Sequence, residues 1–238
     1  HTDAEIEIFC HGALCISYSG RCLLSRFLSG RDANQGSCTH PCRWNYALIE
    51  EKREGNYLEI IEHATGTEIL SSKDLNLIDV LPYYIAAGVN AFKIEGRMKS
   101  IYYTANTTRI YKHAMNTITD NNDYNKYLPF YLSELDLVSH RPYTNDLFNE
   151  FNNLGFNKIP YIKKVLFLGY ALSRGKDETE AYIKIFNPLY LNEEIDVIYP
   201  IKNSGIKDCK TTIKEITDDD KKESVNMARP GKIYLVKF

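Results

Sequence analysis

"SKDLNLIDVLPYYIAAGVNAFKIEGRMKSIYYTANTTRIYKHAMNTI", Ser72–Ile118, is the stretch that decides the fold. Ser72–Gly88 reads as a helix broken near Pro82 and closed by Gly88, a residue free to turn left-handed past a helix end. "VNAFKI" (Val89–Ile94) is a short apolar run and reads as a buried strand. "SIYYTANTTRIYKHAMNTI" (Ser100–Ile118) reads as an amphipathic helix. Helix, strand, helix is the rhythm of a β/α barrel. Such barrels carry their chemistry at the C-terminal ends of the strands, which singles out the residues around Ile94. Glu95 is the candidate acid or base, Arg97 an anion clamp, and Lys93 a substrate contact. The plainer alternative is an ion pair that fixes the loop. Asp74 reads as a helix N-cap, and His140 and Arg141 as structural residues where two regions join.

Upstream, "AEIEIF" (Ala4–Phe9) alternates like a strand, and another strand-like run lies around Ile69–Ser71. Between them, residues 44–69 read as a small antiparallel excursion with turns at Gly55-Asn56 and Thr65-Gly66. Downstream, "TDNNDYNKYL" is polar, and residues 119–160 read as a helical linker. From Val165 come short strand-like runs, "VLFLGYAL", "EAYIKIF", "EIDVIYP", "CKTTIKEI" and "KIYLVKF", with turns between them. They predict a small antiparallel β-barrel over residues 161–238. The expected class is α/β plus β: the C-terminal part of a TIM-like β/α barrel over residues 1–118, then the linker, then the small barrel. A full β/α barrel takes about 250 residues and eight strands. Only three such strands are legible before residue 119, so the chain is expected to be the later portion of a longer protein, without its N-terminal half.

At 238 residues, the chain is long enough for a sizeable core and for two domains. Its net charge of -2 excludes a generally basic nucleic-acid binder, so any RNA contact must come from a local patch. No run of 18 apolar residues occurs, so no membrane span is expected. The N-terminal "HTDAEIEIF" carries acids and lacks the apolar run of a signal peptide; the cytoplasm is the expected location.

Cysteines number six, and Cys10, Cys15, Cys22, Cys38 and Cys42 all precede residue 43. A disulfide framework belongs to smaller, secreted, cysteine-dense chains. Scattered buried thiols would be spread more evenly. Ligation of a metal or a cluster accounts for the clustering. Between Cys15, Cys22, Cys38 and Cys42 lie six, fifteen and three residues. Paired zinc thiolates favour two to four residues between them, which the first gap fits badly. Iron–sulfur clusters accept looser spacings. Cys10 reads as a packed thiol, and Cys209 stands alone. Arg21, Arg26, Arg31 and Arg43 face only Asp32 among residues 10–49. This local excess of cations suits an organic acid or RNA phosphate, with Arg31 and Arg43 as candidate contacts; solvated loop arginines are the plain alternative.

"EIFCHGALCISYSGRCLLS" (Glu7–Ser25) resembles the signature of the collagenase-like peptidase U32 family and meets every fixed position of it. The likeness continues through "GRDANQGSCTHPCRW" (Gly30–Trp44), Leu70–Ser100 and the following helix, and weakens after about residue 145, where "SHRPYT" still echoes it. The family name implies proteolysis. Yet the chain has no His-Glu-x-x-His helix and no Gly-x-Ser-x-Gly elbow. A cysteine nucleophile would account for one thiol, not four. The resemblance also implies oxygen-independent hydroxylation. Family members hydroxylate the wobble uridine of tRNA, with prephenate as the implied oxygen source, and others act on ribosomal RNA or the ubiquinone ring. By the same resemblance, Cys15, Cys22, Cys38 and Cys42 would hold a 4Fe-4S cluster, with zinc as the alternative. The implied partners are tRNA or another RNA and a small organic acid.

Overall fold

The computed structural model describes residues 4–15, 21–43, 61–63, 66–68, 73–97, 99–120, 124–145, 162–201 and 208–238. β1 (Glu7–Ala13) organises the first layer. It pairs in parallel with β5 (Ala91–Ile94) and antiparallel with β4 (Asp74–Asn76), and β4 pairs in parallel with β6 (Tyr143–Thr144). The sheet order is therefore β5-β1-β4-β6. Three helices pack on it: α2 (Leu81–Ala86), α3 (Ile101–Asp120) and α4 (Tyr124–Leu135). On α3 the buried positions are Tyr103, Asn106, Thr107, Ile110, Tyr111 and Ala114. Their spacing of three and four residues puts them on one stripe facing the core. There Ile110, Tyr111 and Ala114 meet Cys10 and Leu75 from the sheet, Leu77, Ile78 and Leu81 after β4, and Tyr124, Tyr131 and Leu135 of α4. The stretch read as a linker thus adds three side chains to this core.

Residues 73–88 depart from the helical reading. Asp74–Asn76 is a strand, and α2 begins only at Leu81, with Pro82 in its first turn. Proline is tolerated there because a first-turn N–H has no intrahelical partner, so Pro82 opens this helix instead of breaking one. Gly88 follows the helix at φ 88°, as expected of a residue past a helix end. The strand expected around Ile69–Ser71 falls outside the described residues. Of the excursion over 44–69, the hairpin β2 (Ile61–His63) with β3 (Gly66–Glu68) is described and antiparallel. α1 is the short helix Leu24–Ser29.

The C-terminal region holds a five-stranded antiparallel sheet in the order β13-β12-β15-β8-β7. Its strands are β7 (Gly169–Arg174), β8 (Glu180–Ile185), β12 (Glu215–Asp218), β13 (Glu223–Ser224) and β15 (Ile233–Lys237). Two ribbons accompany it: β9 (Leu189–Tyr190) with β14 (Met227–Ala228), and β10 (Glu194–Val197) with β11 (Cys209–Thr212). Alternation decides the faces: Tyr234 and Val236 of β15 are buried while Ile233, Leu235 and Lys237 are not. The buried set joins Ile183, Ile185, Leu189, Ile213, Ile216 and Ala228 in a second core.

Neither barrel closes among the described residues. A β/α barrel is all parallel, whereas β1 and β4 run antiparallel and the sheet stops at four strands. In the C-terminal sheet β7 and β13 are the outer strands and do not pair with each other. Arg109 of α3 joins the two regions. Its guanidinium meets both Asp208 oxygens at 2.8 Å and the Tyr199 carbonyl at 3.1 Å, and pairs with Glu134 of α4.

Leu77 is fully buried between β4 and the helices. Leu77→Ala is expected to lower unfolding stability by about 2–5 kcal/mol, read from the urea midpoint. A loss below about 1 kcal/mol would contradict this account of the core.

Candidate active site at one end of the first sheet

Because β1 and β5 are parallel, they leave the sheet at the same end. The antiparallel β4 starts there, with Ala13 opposite Asp74, and so does β6, with Tyr143 opposite Asp74. Topology alone therefore gathers Cys15, Glu95–Arg97, Lys99, Asp74 and Arg141 at one edge. The two strands approach closely at Gly12, whose φ is 121°. A Cβ there would stand 2.3 Å from the Glu95 carbonyl oxygen, so no larger residue fits. The turn after β5 is held firmly. Glu95 N donates to the His11 carbonyl at 2.8 Å, and Tyr103 Oη donates to the Glu95 carbonyl at 3.2 Å. Lys99 N donates to the Gly96 carbonyl at 2.9 Å, and Arg97 N to Glu95 Oε1 at 3.3 Å.

The thiol segment folds back on itself beside this turn. α1 ends at Gly30 with φ 70°, and Asp32 caps the 3-10 turn Ala33–Gln35 by accepting from Asn34 N at 2.8 Å. Three hydroxyls clip α1 to the returning chain: Ser25 Oγ and Ser29 Oγ lie 3.1 and 2.9 Å from Thr39 Oγ1. Thr39 N also donates to Ser25 Oγ at 3.1 Å. The clip sits three residues after Cys22 and one after Cys38, so it draws those two stretches together. Arg97 reaches across from the β5 end and donates from Nη1 to the Gly36 carbonyl.

The sequence-predicted residues are placed as follows. Cys15 is exposed two residues beyond β1, whereas Cys22, Cys38 and Cys42 are half-buried, and none of the four is in a disulfide. Cys38 Sγ accepts from His40 N at 3.3 Å. Arg97 and the thiol segment are brought together; Glu95 is half-buried in the same turn. Lys93 points elsewhere, to Glu7 at 3.6 Å and over the Phe9 ring at 5.0 Å. Arg31 is exposed after α1. Arg43 ends the 3-10 turn Pro41–Arg43, and its side chain lies outside the described residues. In donor type the segment suits a soft-metal centre: several thiols, one already receiving the N–H hydrogen bond that tunes cluster sulfurs. Among the described residues no three His, Cys, Asp or Glu side chains converge as a metal-holding group.

A buried polar cluster lies beneath. Asp74 is no N-cap: it is a buried strand residue whose Oδ1 accepts from Arg141 Nε at 2.9 Å. Its Oδ2 accepts from Arg141 N at 3.2 Å and Lys99 Nζ at 3.3 Å, and Lys99 Nζ also donates to the Ser139 carbonyl at 2.9 Å. Burial pushes the Asp74 carboxyl up, but the Arg141 and Lys99 charges and the Arg141 hydrogen bonds outweigh it and hold it below its ordinary value. Arg141, fully buried, is structural as read, and it is the partner that Asp74 needs. His11 is ringed by Tyr103, Tyr111 and Tyr143, with centroids 5.9, 5.5 and 5.2 Å away. Burial pushes His11 down to about 3, so the ring is neutral. Tyr143 also stacks on His140 at 3.9 Å. Cys10 is pushed up to about 12 by burial, which keeps it a protonated thiol. The sequence signal for this cluster was "SHRPYT", polar residues leading into a very short strand.

Residues 1–154 match peptidase family U32, and the chain belongs to that family. It is 35% identical to an uncharacterized protease of Methanocaldococcus jannaschii, over 99% of this chain and 60% of that protein. It is 31% identical to tRNA hydroxylation protein P of Escherichia coli, over 84% of this chain and 53% of that one. A collagenase of Porphyromonas gingivalis is 40% identical over 47% of this chain and 26% of its own length. The chain thus spans little more than half the length of the first two relatives.

Two expectations follow from the buried cluster. Unfolded, His11 takes up a proton near 6.5; folded, only near about 3. Its contribution is complete above the first value and drains as pH falls toward the second, at up to about 1.4 kcal/mol per pH unit. Asp74, with its depressed value, acts in the same direction further into acid. Urea midpoints measured from pH 7 down to pH 4 should fall, and His11→Gln should flatten that fall by about one proton. Asp74→Asn removes the counter-charge of buried Arg141, and a loss of about 3–5 kcal/mol is expected at pH 7 by the same measurement.

Proposed function

We propose that the protein hydroxylates RNA without molecular oxygen, most specifically the wobble uridine of a tRNA. The observation that carries this reading is the match, over most of the chain, to a tRNA hydroxylation protein. In this reading Cys15, Cys22, Cys38 and Cys42 hold a 4Fe-4S cluster, and prephenate or a similar organic acid is the oxygen source. Such a cluster supplies one-electron chemistry when bound. The chain's own residues then have separable roles. Arg31 and Arg43 attract an anionic substrate, carboxylate or phosphate, to a segment whose cations outnumber its acids. Glu95, in the turn at the strand end, accepts or returns a proton. Support for the site comes from chemistry and topology together: thiols clustered around one clipped segment, beside a turn that carries a carboxylate and a guanidinium.

Proteolysis is the second reading, favoured by the names of the protease and collagenase relatives. It requires an ionisable nucleophile. Cys10, which a histidine follows directly, is unsuited, because burial keeps its proton on.

The test is nucleoside mass spectrometry of tRNA from a strain lacking the gene. Hydroxylated wobble uridine is expected to disappear, to return with the wild-type gene, and to stay absent with Cys22→Ala. Iron in the anaerobically purified protein should be lost in Cys22→Ala and Cys38→Ala and kept in Cys209→Ala. Unchanged tRNA in the deletion strain rejects the reading, and peptide cleavage by the purified protein would then favour the second.

A further inference from the structure

We infer that Arg97 is a positioning residue for the thiol segment, and that its partner is the backbone at Gly36. The inference deepens the proposed site and rests on that reading only for what the thiols hold.

Arg97 follows β5 by three positions, on a turn pinned at four points by His11, Tyr103, Glu95 and Gly96. Lys99, at the end of the same turn, is anchored below in the Asp74 cluster. The base of the Arg97 side chain is therefore fixed to the sheet. Its far end lands on the Gly36 carbonyl, between Cys22 and Cys38 in sequence. Gly36 leaves room for it. Its φ is 79°, and a Cβ there would stand 2.7 Å from Arg97 Nη1 and 2.9 Å from Cζ. The guanidinium thus occupies the space that any side chain at position 36 would need. The hydroxyl clip of Ser25, Ser29 and Thr39 makes the segment a single folded piece, and Arg97 ties that piece to the end of β5. From sequence, Arg97 reads as an anion clamp. In the structure its donor faces the protein's own carbonyl, so its effect on chemistry passes through the thiols it holds in place.

The test is alkylation of the reduced, metal-free protein by iodoacetamide, with each thiol followed by peptide mass spectrometry. In the wild-type protein Cys22 and Cys38, half-buried, should react more slowly than the exposed Cys15 and Cys209. Arg97→Ala should speed Cys22 and Cys38 about tenfold, the effect expected from losing one charge-assisted hydrogen bond. Cys209 should not change, and Lys112→Ala, on the exposed face of α3, should alter none of the rates. Arg97→Lys, which keeps a cationic donor, should restore part of the protection. Unchanged Cys22 and Cys38 rates in Arg97→Ala overturn the proposal. Cys10, buried in the core, reports unfolding. If it also becomes reactive, Arg97→Lys decides the matter: with Cys10 protected, slower Cys22 and Cys38 rates than in Arg97→Ala support the tie, and rates equal to those of Arg97→Ala refute it. Since no tRNA enters this measurement, its failure leaves the hydroxylase reading standing, and failure of that reading leaves the tie to be judged on its own.

Discussion

The burial of Asp74 between Arg141 and Lys99 is the constraint on which the first region depends. A lone carboxylate in that position would be neutralised or expelled, because an apolar interior cannot solvate it. Two cations compensate it, and each belongs to a different element. Arg141 leads into β6, and Lys99 ends the turn between β5 and α3. One carboxylate thereby fixes where three chain segments meet, and all three meet at the end of the sheet that carries Glu95 and Arg97. Ion clusters of this kind contribute little net stability compared with well-packed apolar groups, but removing one partner leaves a buried charge alone. The arrangement therefore serves geometry more than stability.

A tier above, hydrogen bonds of ordinary strength order the thiol segment. Serine and threonine hydroxyls clip α1 to the residue after Cys38, glycines take the left-handed turns, and a guanidinium crosses from the sheet. Little apolar burial supports this segment: Leu23 and Phe27 are largely exposed. Its shape depends on polar contacts that solvent or a bound group can exchange, which suits a site whose ligands must be reached from outside.

The family name and the name of the tRNA-acting relative point to different chemistries. The cysteines bear on both. Proteolysis by a thiol needs one sulfur with a lowered pKa and a base beside it. Cys10, the cysteine directly followed by a histidine, is shifted the other way, by burial in the core. Four further thiols on one segment are superfluous for a nucleophile and apt for a ligand set.

Sequence by itself determined the family, through a signature whose Gly12 the fold needs for the close approach of two strands. It also determined α3, from apolar residues at helical spacing, and β8 and β15, as short strand-like runs bounded by turns. Only the tertiary structure decided the rest. Asp74 followed by Leu75 looks like a helix start because a cap and a buried ion-pair partner are the same residue type, and only Arg141, 67 positions away, tells them apart. The antiparallel entry of β4 was hidden for the same reason, since strand direction depends on which partners a strand finds across the sheet. Whether the strands close into a barrel depends on edges meeting in space, and no local pattern of apolar residues encodes that. Arg97 looked like an anion clamp until the fold placed a backbone carbonyl, from 61 residues upstream, at its tip.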